Sequence, residues 1–402
     1  MTEHAPEPRP SLAERLAIQQ KLGGIAPALI TALVALLMGG VVVAGTGHNP
    51  IRAYEGIARG AGLTWFFQFP WNTDTNQLVT YNLTQTLLQA TPLLLTGLAV
   101  AFAFRCGLFN IGAQGQYMMG LIVANWVGVS LVGSPSPLHI LLAVGAATLA
   151  GAVWAGVAGF LKATVGAHEV ISTIMLNWVA YWFGSYVFGQ GGPLQNPATP
   201  TNPISADVAP SARLSVWWGD PVLQGLHIGF FVALAALVVY WLILNRTTLG
   251  YEVRAVGYNP DAAAYGRISV RRSFFLAMAI SGAFAGLAGA LDMLGYLFHF
   301  GTLDVQSNSV GFMAIAVALL GRSSSIGVFF SALLFGGLLY GTTKGLDPAT
   351  FDPTLAGNLT SMIQGLVVLF VGADVLILWL WNLRKKRIRR PRIAQSHAGS
   401  RA

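Results

Sequence analysis

Long apolar runs recur along this chain at intervals too regular for a single buried core, and polar residues collect between them. Runs at 25–45, 84–104, 117–133, 138–161, 171–189, 226–244, 273–295, 309–321, 326–343 and 359–381 lie near the roughly 20 residues that cross a bilayer as a helix. The pattern predicts an all-α polytopic membrane protein of about ten transmembrane helices. Residues 1–24 are polar, and no small-residue cleavage site follows the first run, so that run is expected to be a retained span.

Two longer polar connections interrupt the series, at 46–83 and 191–225. The first carries Trp65, Phe66, Phe67, Phe69 and Trp71, the second Trp217 and Trp218, ring types that favour the headgroup level. These rings serve as interfacial anchors or, alternatively, meet a delivery protein. The spans are rich in small residues four apart: Ala147, Gly151, Ala155 and Gly159 on one face, Gly282 with Gly286 and Ala285 with Gly289 on another. Such faces let helix backbones approach closely and predict a tight bundle.

Placement of lysine and arginine orients the spans. With the N-terminus inside, the inner side collects Arg105, Lys162, Arg246, Arg254, Arg267, Arg271, Arg272, Arg322 and the cluster from Arg384 to Arg392, against Arg52, Arg59, Arg213 and Lys344 outside. The expected organisation is a cytoplasmic segment 1–24, a transmembrane domain 25–383 with a cytoplasmic loop at 245–272, and a basic cytoplasmic tail 384–402. Both termini then lie in the cytoplasm, with the basic tail against lipid headgroups.

Composition supports that class. Of 402 residues 54% are hydrophobic and only 9% charged, well under the roughly 25% charged of a soluble domain. The net charge of +8 sits mainly in the tail, so it reads as a membrane anchor and no nucleic-acid partner is expected. One cysteine, Cys106, excludes an internal disulfide, and the seven histidines have no metal-binding spacing.

No Gly-Lys pair occurs, so the usual phosphate-cradling loop is absent and this chain is not expected to hydrolyse ATP or to bind a cofactor. The loop 245–272 reads Arg254, Ala255, Val256, Gly257, Tyr258, then Asn259, Pro260, Asp261, Ala262, Ala263, Ala264, Tyr265, Gly266. Asn259 suits an N-cap, Pro260 the first helical position, Asp261 the helix dipole, and Gly266 a stop after two turns. A short helix is predicted, either lying on the membrane or seating in a groove of a partner ATPase.

Between Arg105 and Gln116 the glycines 107, 112 and 115 disfavour a continuous helix, while Asn110, Gln114 and Gln116 add polar groups. The segment is either a short cytoplasmic loop or a broken helix lining a pathway. Within spans, Gln85 and Gln89 share a helical face, Asn177 interrupts an apolar run and Asp292 lies near an outer end. The amides either bond neighbouring helices or meet a hydroxyl-rich solute, and Asp292 is either an interfacial carboxylate or another contact for that solute. Trp178, Phe298 and Phe300 offer rings for stacking on a base, or sit in the aromatic belt.

Four stretches, Gly107 to Gln116, Glu169 to Asn177, Asn259-Pro260-Asp261-Ala262-Ala263 and Gly311 to Gly321, resemble in order the signatures of bacterial ABC importer permeases of the ribose and nucleoside type. The resemblance covers about 84–372, and the long segment before Thr84 is similar to the longer permease of nucleoside importers that use a basic-membrane-protein-type binding protein. It implies a type II-importer-like bundle paired with a second homologous permease, as a heterodimer. A cytoplasmic ABC ATPase using ATP and Mg and an extracytoplasmic substrate-binding protein would complete the system. That family commonly has Glu where Gln114 stands.

The expected function is thus a path for nucleosides worked by alternating access, with ribose or another simple sugar as the other solute class. An ion-coupled secondary transporter would instead need carboxylates or basic groups in mid-span, and only Asp292 and Asp374 approach that. No constellation for a membrane-embedded enzyme is present, and a channel would need no partner.

Overall fold

A computed structural model describes residues 25–67 and 74–346, with isolated positions between 358 and 369. The polar N-terminal segment, Phe69, Trp71, most of the run 359–381 with Asp374, and the basic tail lie outside the described residues.

The chain is helical almost throughout because its apolar runs satisfy their backbone groups internally. Helices α1 (Ile25–Gly45) and α2 (Pro50–Gly60) meet at a 119° bend. They are followed by α3 (Asp74–Arg105), α4 (Ala113–Ser130), α5 (Ser136–Val165) and α6 (Glu169–Phe188). After a loop with a two-stranded hairpin, β1 (Val216–Trp218) and β2 (Leu226–His227), come α7 (Gly229–Arg246), α8 (Thr248–Tyr258) and α9 (Pro260–Tyr265). Then α10 (Val270–Asp292) runs into a π turn at Met293–Leu297, and α11 (Thr302–Ser307), α12 (Val310–Leu320) and α13 (Ser325–Gly345) complete the described chain.

Six described helical segments are long and apolar enough to cross a membrane, seven if the bent α1–α2 pair counts as one. Helices α4 and α6 sit at two further predicted runs but are less apolar, with Gln114, Gln116 and Asn125 in one and Asn177 among aromatic rings in the other. The predicted run 309–321 is the 11-residue helix α12, and the six-residue α11 precedes it across a break at Asn308.

Helix α10 lies at the centre, packed on α3, α4 and α5, and the small-residue seams explain how. A Cβ on Gly286 would lie 2.5 Å from the Ala147 carbonyl oxygen, and one on Gly120 would lie 2.5 Å from the Gly286 oxygen, so the three backbones touch where no side chain stands. Helix α3 is enclosed by its neighbours, whereas α5 and α7 present most of their surface outward.

At one end of the bundle the 191–225 loop folds over the ends of α4 and α10. Ala209 donates its N–H to the Gly128 oxygen, Leu214 to Leu294 and Val208 to Phe298. Trp65 and Trp218 meet edge to face at 5.4 Å, joining the two aromatic connections into one cluster. The α8–α9 hairpin lies at the opposite end, where a Cβ on Gly257 would collide with the Arg105 carbonyl that closes α3.

Candidate functional site

The α8–α9 hairpin is held by its own caps. Thr247 Oγ1 accepts the Gly250 N–H at 3.1 Å and starts α8. Asn259 Oδ1 accepts the N–H groups of Asp261 and Ala262 at 2.9 and 3.1 Å, with Pro260 next in the chain. Gly266 bonds back to Ala262, but the left-handed residue that ends the turn is Arg267. Asp261 and Ala262 are exposed, Ala263 is packed inward, and Tyr265 is 95% exposed. Arg254 reaches Asn245 Oδ1 at 3.4 Å, and Gly257 is the residue that lets α8 press on the end of α3.

That contact leads inward through a residue not singled out as functional. Arg105 donates from Nε and Nη2 to the Ser323 carbonyl at 3.1 and 2.9 Å, and Tyr240 Oη donates to the same oxygen at 2.7 Å. Arg322 and Ser323 both hold left-handed φ, at +51°, which turns the Ser323 oxygen toward them in the α12–α13 turn. The hairpin, α3, α7 and that turn therefore share one contact network.

The segment 106–112 is unwound between α3 and α4, and its polar groups are consumed inside the bundle. Asn110 and Gln116 exchange two amide hydrogen bonds of 2.9 Å, and Asn110 Nδ2 also donates to Ser281 Oγ at 2.8 Å. Asn177 accepts the Gly115 N–H at 2.8 Å and donates to the Ile111 oxygen at 2.9 Å. Ser281 and Asn177 lie near the midpoints of α10 and α6, so α4 begins level with them and the broken-helix arrangement holds in place of the surface loop. Asn110, Gln116 and Asn177 are buried posts of this break.

A second break meets the first. Gln114 Nε2 donates to the Asn308 carbonyl at 3.0 Å and to Asn308 Oδ1 at 3.1 Å, while Gln114 Oε1 accepts the Gly311 N–H at 2.7 Å. Gln114 thus binds the start of α4 to the start of α12. Beside this junction a pocket of about 230 Å³ opens to the flank of the bundle. Gln114, Asn177, Gln306 and Asn308 provide its polar lining, and Trp178, Tyr181 and Phe312 its rings. Sequence reading missed Gln306 and Asn308, which lie in the short α11 and the break after it, just ahead of the apolar run 309–321, and Tyr181 and Phe312, which read as ordinary rings of apolar helices.

The remaining predicted residues lie elsewhere. Gln85 Nε2 donates to the Gln224 carbonyl at 2.8 Å, tying α3 to the hairpin loop, and Gln89 bonds Tyr296. Asp292 is buried and accepts from Tyr117 Oη, whose oxygen also meets Asn308 Nδ2 at 3.5 Å. Phe300 is buried against Phe188, and Phe298 stacks on Arg213, so neither ring faces the pocket. Among the described residues no three histidines, cysteines or carboxylates gather where a metal ion would sit.

Several apolar helices make this a multi-pass membrane protein, and its likeness to known proteins makes it a transport permease subunit and not an enzyme. The chain belongs to the family described as branched-chain amino acid transport system / permease component, whose model matches residues 82–372. It is 35% identical over 370 residues to the guanosine ABC transporter permease protein NupP of Bacillus subtilis, covering 92% of this chain and 99% of the relative. It is 34% identical over 353 residues to the glucose ABC transporter permease protein TsgB13 of Haloferax volcanii, covering 85% and 86%. A second guanosine ABC transporter permease protein of Bacillus subtilis, NupQ, is 28% identical over 272 residues, covering 65% and 82%. No solved structure matches the chain.

Proposed function

We propose that this chain is the permease subunit of an ATP-binding cassette importer and forms part of the path for nucleosides by alternating access. The observation that carries the reading is the near full-length likeness to a permease named for guanosine transport. In this reading α4 and α6 also cross the membrane and, with the residues 359–381, complete ten spans of a type II-importer-like bundle in the inner membrane, both termini in the cytoplasm. The match to two guanosine permeases of one organism supports a second homologous permease as partner. A substrate-binding protein delivers solute to the end covered by the 191–225 loop, and a separate ATPase takes up ATP and Mg at the other.

The Asn259-capped helix is the element that meets that ATPase. Its exposed Asp261 and Tyr265 stand on a turn packed against α3 through Gly257, so a displacement of α9 is passed to Arg105 and the α12–α13 turn. Reversing the charge with Asp261→Arg should leave the protein in the membrane and abolish ATP-driven uptake of labelled nucleoside. Uptake at the wild-type rate in that variant would remove this helix from the coupling role.

A simple sugar is the second reading, favoured by the 34% identity to the glucose permease protein. Uptake screening of the complete importer with labelled adenosine, uridine, D-ribose and D-glucose separates the two.

A further inference from the structure

We propose that the pocket beside the Gln114–Asn308 junction is the seat of the solute's planar heteroaromatic base, with Gln306 reading the base edge. The inference rests on the transport reading above and adds to it a place and a recognition chemistry.

The lining is neutral. Among the described residues no lysine, arginine, aspartate, glutamate or histidine borders the pocket, so it suits an uncharged ligand and disfavours a phosphorylated one. At about 230 Å³ the space falls below the roughly 300–1,000 Å³ of sites that enclose a complete drug-sized ligand. A base fits it while the attached pentose stays outside in the path.

Rings provide the surfaces a base needs. Trp178 and Tyr181 meet edge to face at 5.6 Å, and Phe312 stands on the α12 side of the same space. Stacking on such rings accepts any base, because every base has a π face. A pentose offers such rings only C–H groups, so this wall suits a flat base better than a sugar.

The polar groups divide by how far they are already used. Gln114 spends both amide hydrogens on Asn308, and Asn308 Oδ1 accepts from Gln114 and from the Val310 N–H. Those two amides fix the floor. Gln306 is exposed and makes no hydrogen bond to the other described residues, so its carbonyl and both amide hydrogens are available to a base edge. Trp178 and Phe312 are 55% and 49% exposed, so the mouth lies on the flank of the bundle. Amides opening there are poorly matched to lipid tails and require a watered path or a polar ligand against them.

The test uses the assembled importer in proteoliposomes, with Ile174→Cys in this chain, an apolar lining position that leaves Gln306 in place. Cys106, the only native cysteine, is buried, so alkylation of this chain by N-ethylmaleimide reports position 174. Millimolar adenosine or uridine should slow labelling severalfold, and D-ribose should not. In parallel, Phe312→Ala should lower maximal nucleoside uptake about tenfold, and Phe312→Tyr, which keeps a ring, should restore most of it. If wild-type importer transports nucleosides but labelling is unaffected by them, or is slowed equally by D-ribose, the base pocket is wrong and the transport reading stands. If wild-type importer moves no nucleoside, the solute assignment itself falls, and this inference with it.

Discussion

Gln114 shows what a single amide does where two broken helices meet. Its nitrogen faces two acceptors on Asn308, and its oxygen accepts from Gly311. A glutamate in its place keeps the Gly311 bond and sets a carboxylate oxygen against the Asn308 carbonyl. Gln114→Glu should therefore cost about 1–3 kcal/mol, the price of leaving a buried acceptor unmet. A lower melting temperature of the purified protein in detergent checks this, and an unchanged one would show that Asn308 finds another donor. The Asn308 carbonyl facing Gln114 needs a donor, and an amide provides it where a carboxylate would not.

At the scale of elements, the hairpin loop depends on a buried imidazole. His227 in β2 is 2% exposed, packs its ring where Gly295 has no side chain, and accepts the Gly229 N–H on Nδ1 at 3.1 Å. Burial pushes its pKa down from 6.5 to about 4. Because the folded value lies below the unfolded one, its contribution to stability is complete above about pH 6.5 and is lost as the pH falls toward 4, by about 3 kcal/mol in full. Protection factors of residues 214–229, which are exchange rates corrected for the intrinsic slowing of exchange at lower pH, should fall between pH 7 and pH 5, and His227→Gln should flatten that response. The α8–α9 hairpin has a different basis. Its caps are local, so Asn259, Pro260 and the stop near Gly266 were readable directly from the sequence, apart from the one-residue displacement that puts Arg267 in the left-handed position.

The whole bundle is set by backbone approach along α10. A leucine at Gly282 would drive its side chain into the Gly151 carbonyl and Ala155, separating α5 from α10. Overpacking of this kind costs typically 1–3 kcal/mol, occasionally more, and at a backbone contact the neighbour has nowhere to move. Gly282→Leu should sharply reduce the protein recovered from membranes, whereas Gly145→Leu, on a face of α5 with open space around it, should be tolerated. Equal yields for the two would mean that the seam is not what holds these helices.

Period and composition determined which stretches became helices, where their caps fall and which faces carry glycine, because each of these depends on residues within one or two turns. Each predicted run from 84–104 to 326–343 holds an observed helix, whereas α8 and α11 lie in no predicted run; the break at 106–112 was left open as loop or broken helix, and the break at Asn308 lies just ahead of the run 309–321. Tertiary structure alone decided that those breaks meet, that Asn110, Gln116 and Asn177 are tied up as posts, and that Gln306 is left free beside three rings. Whether a polar side chain is spent or available depends on donors and acceptors dozens to hundreds of residues away, and no local pattern carries that information.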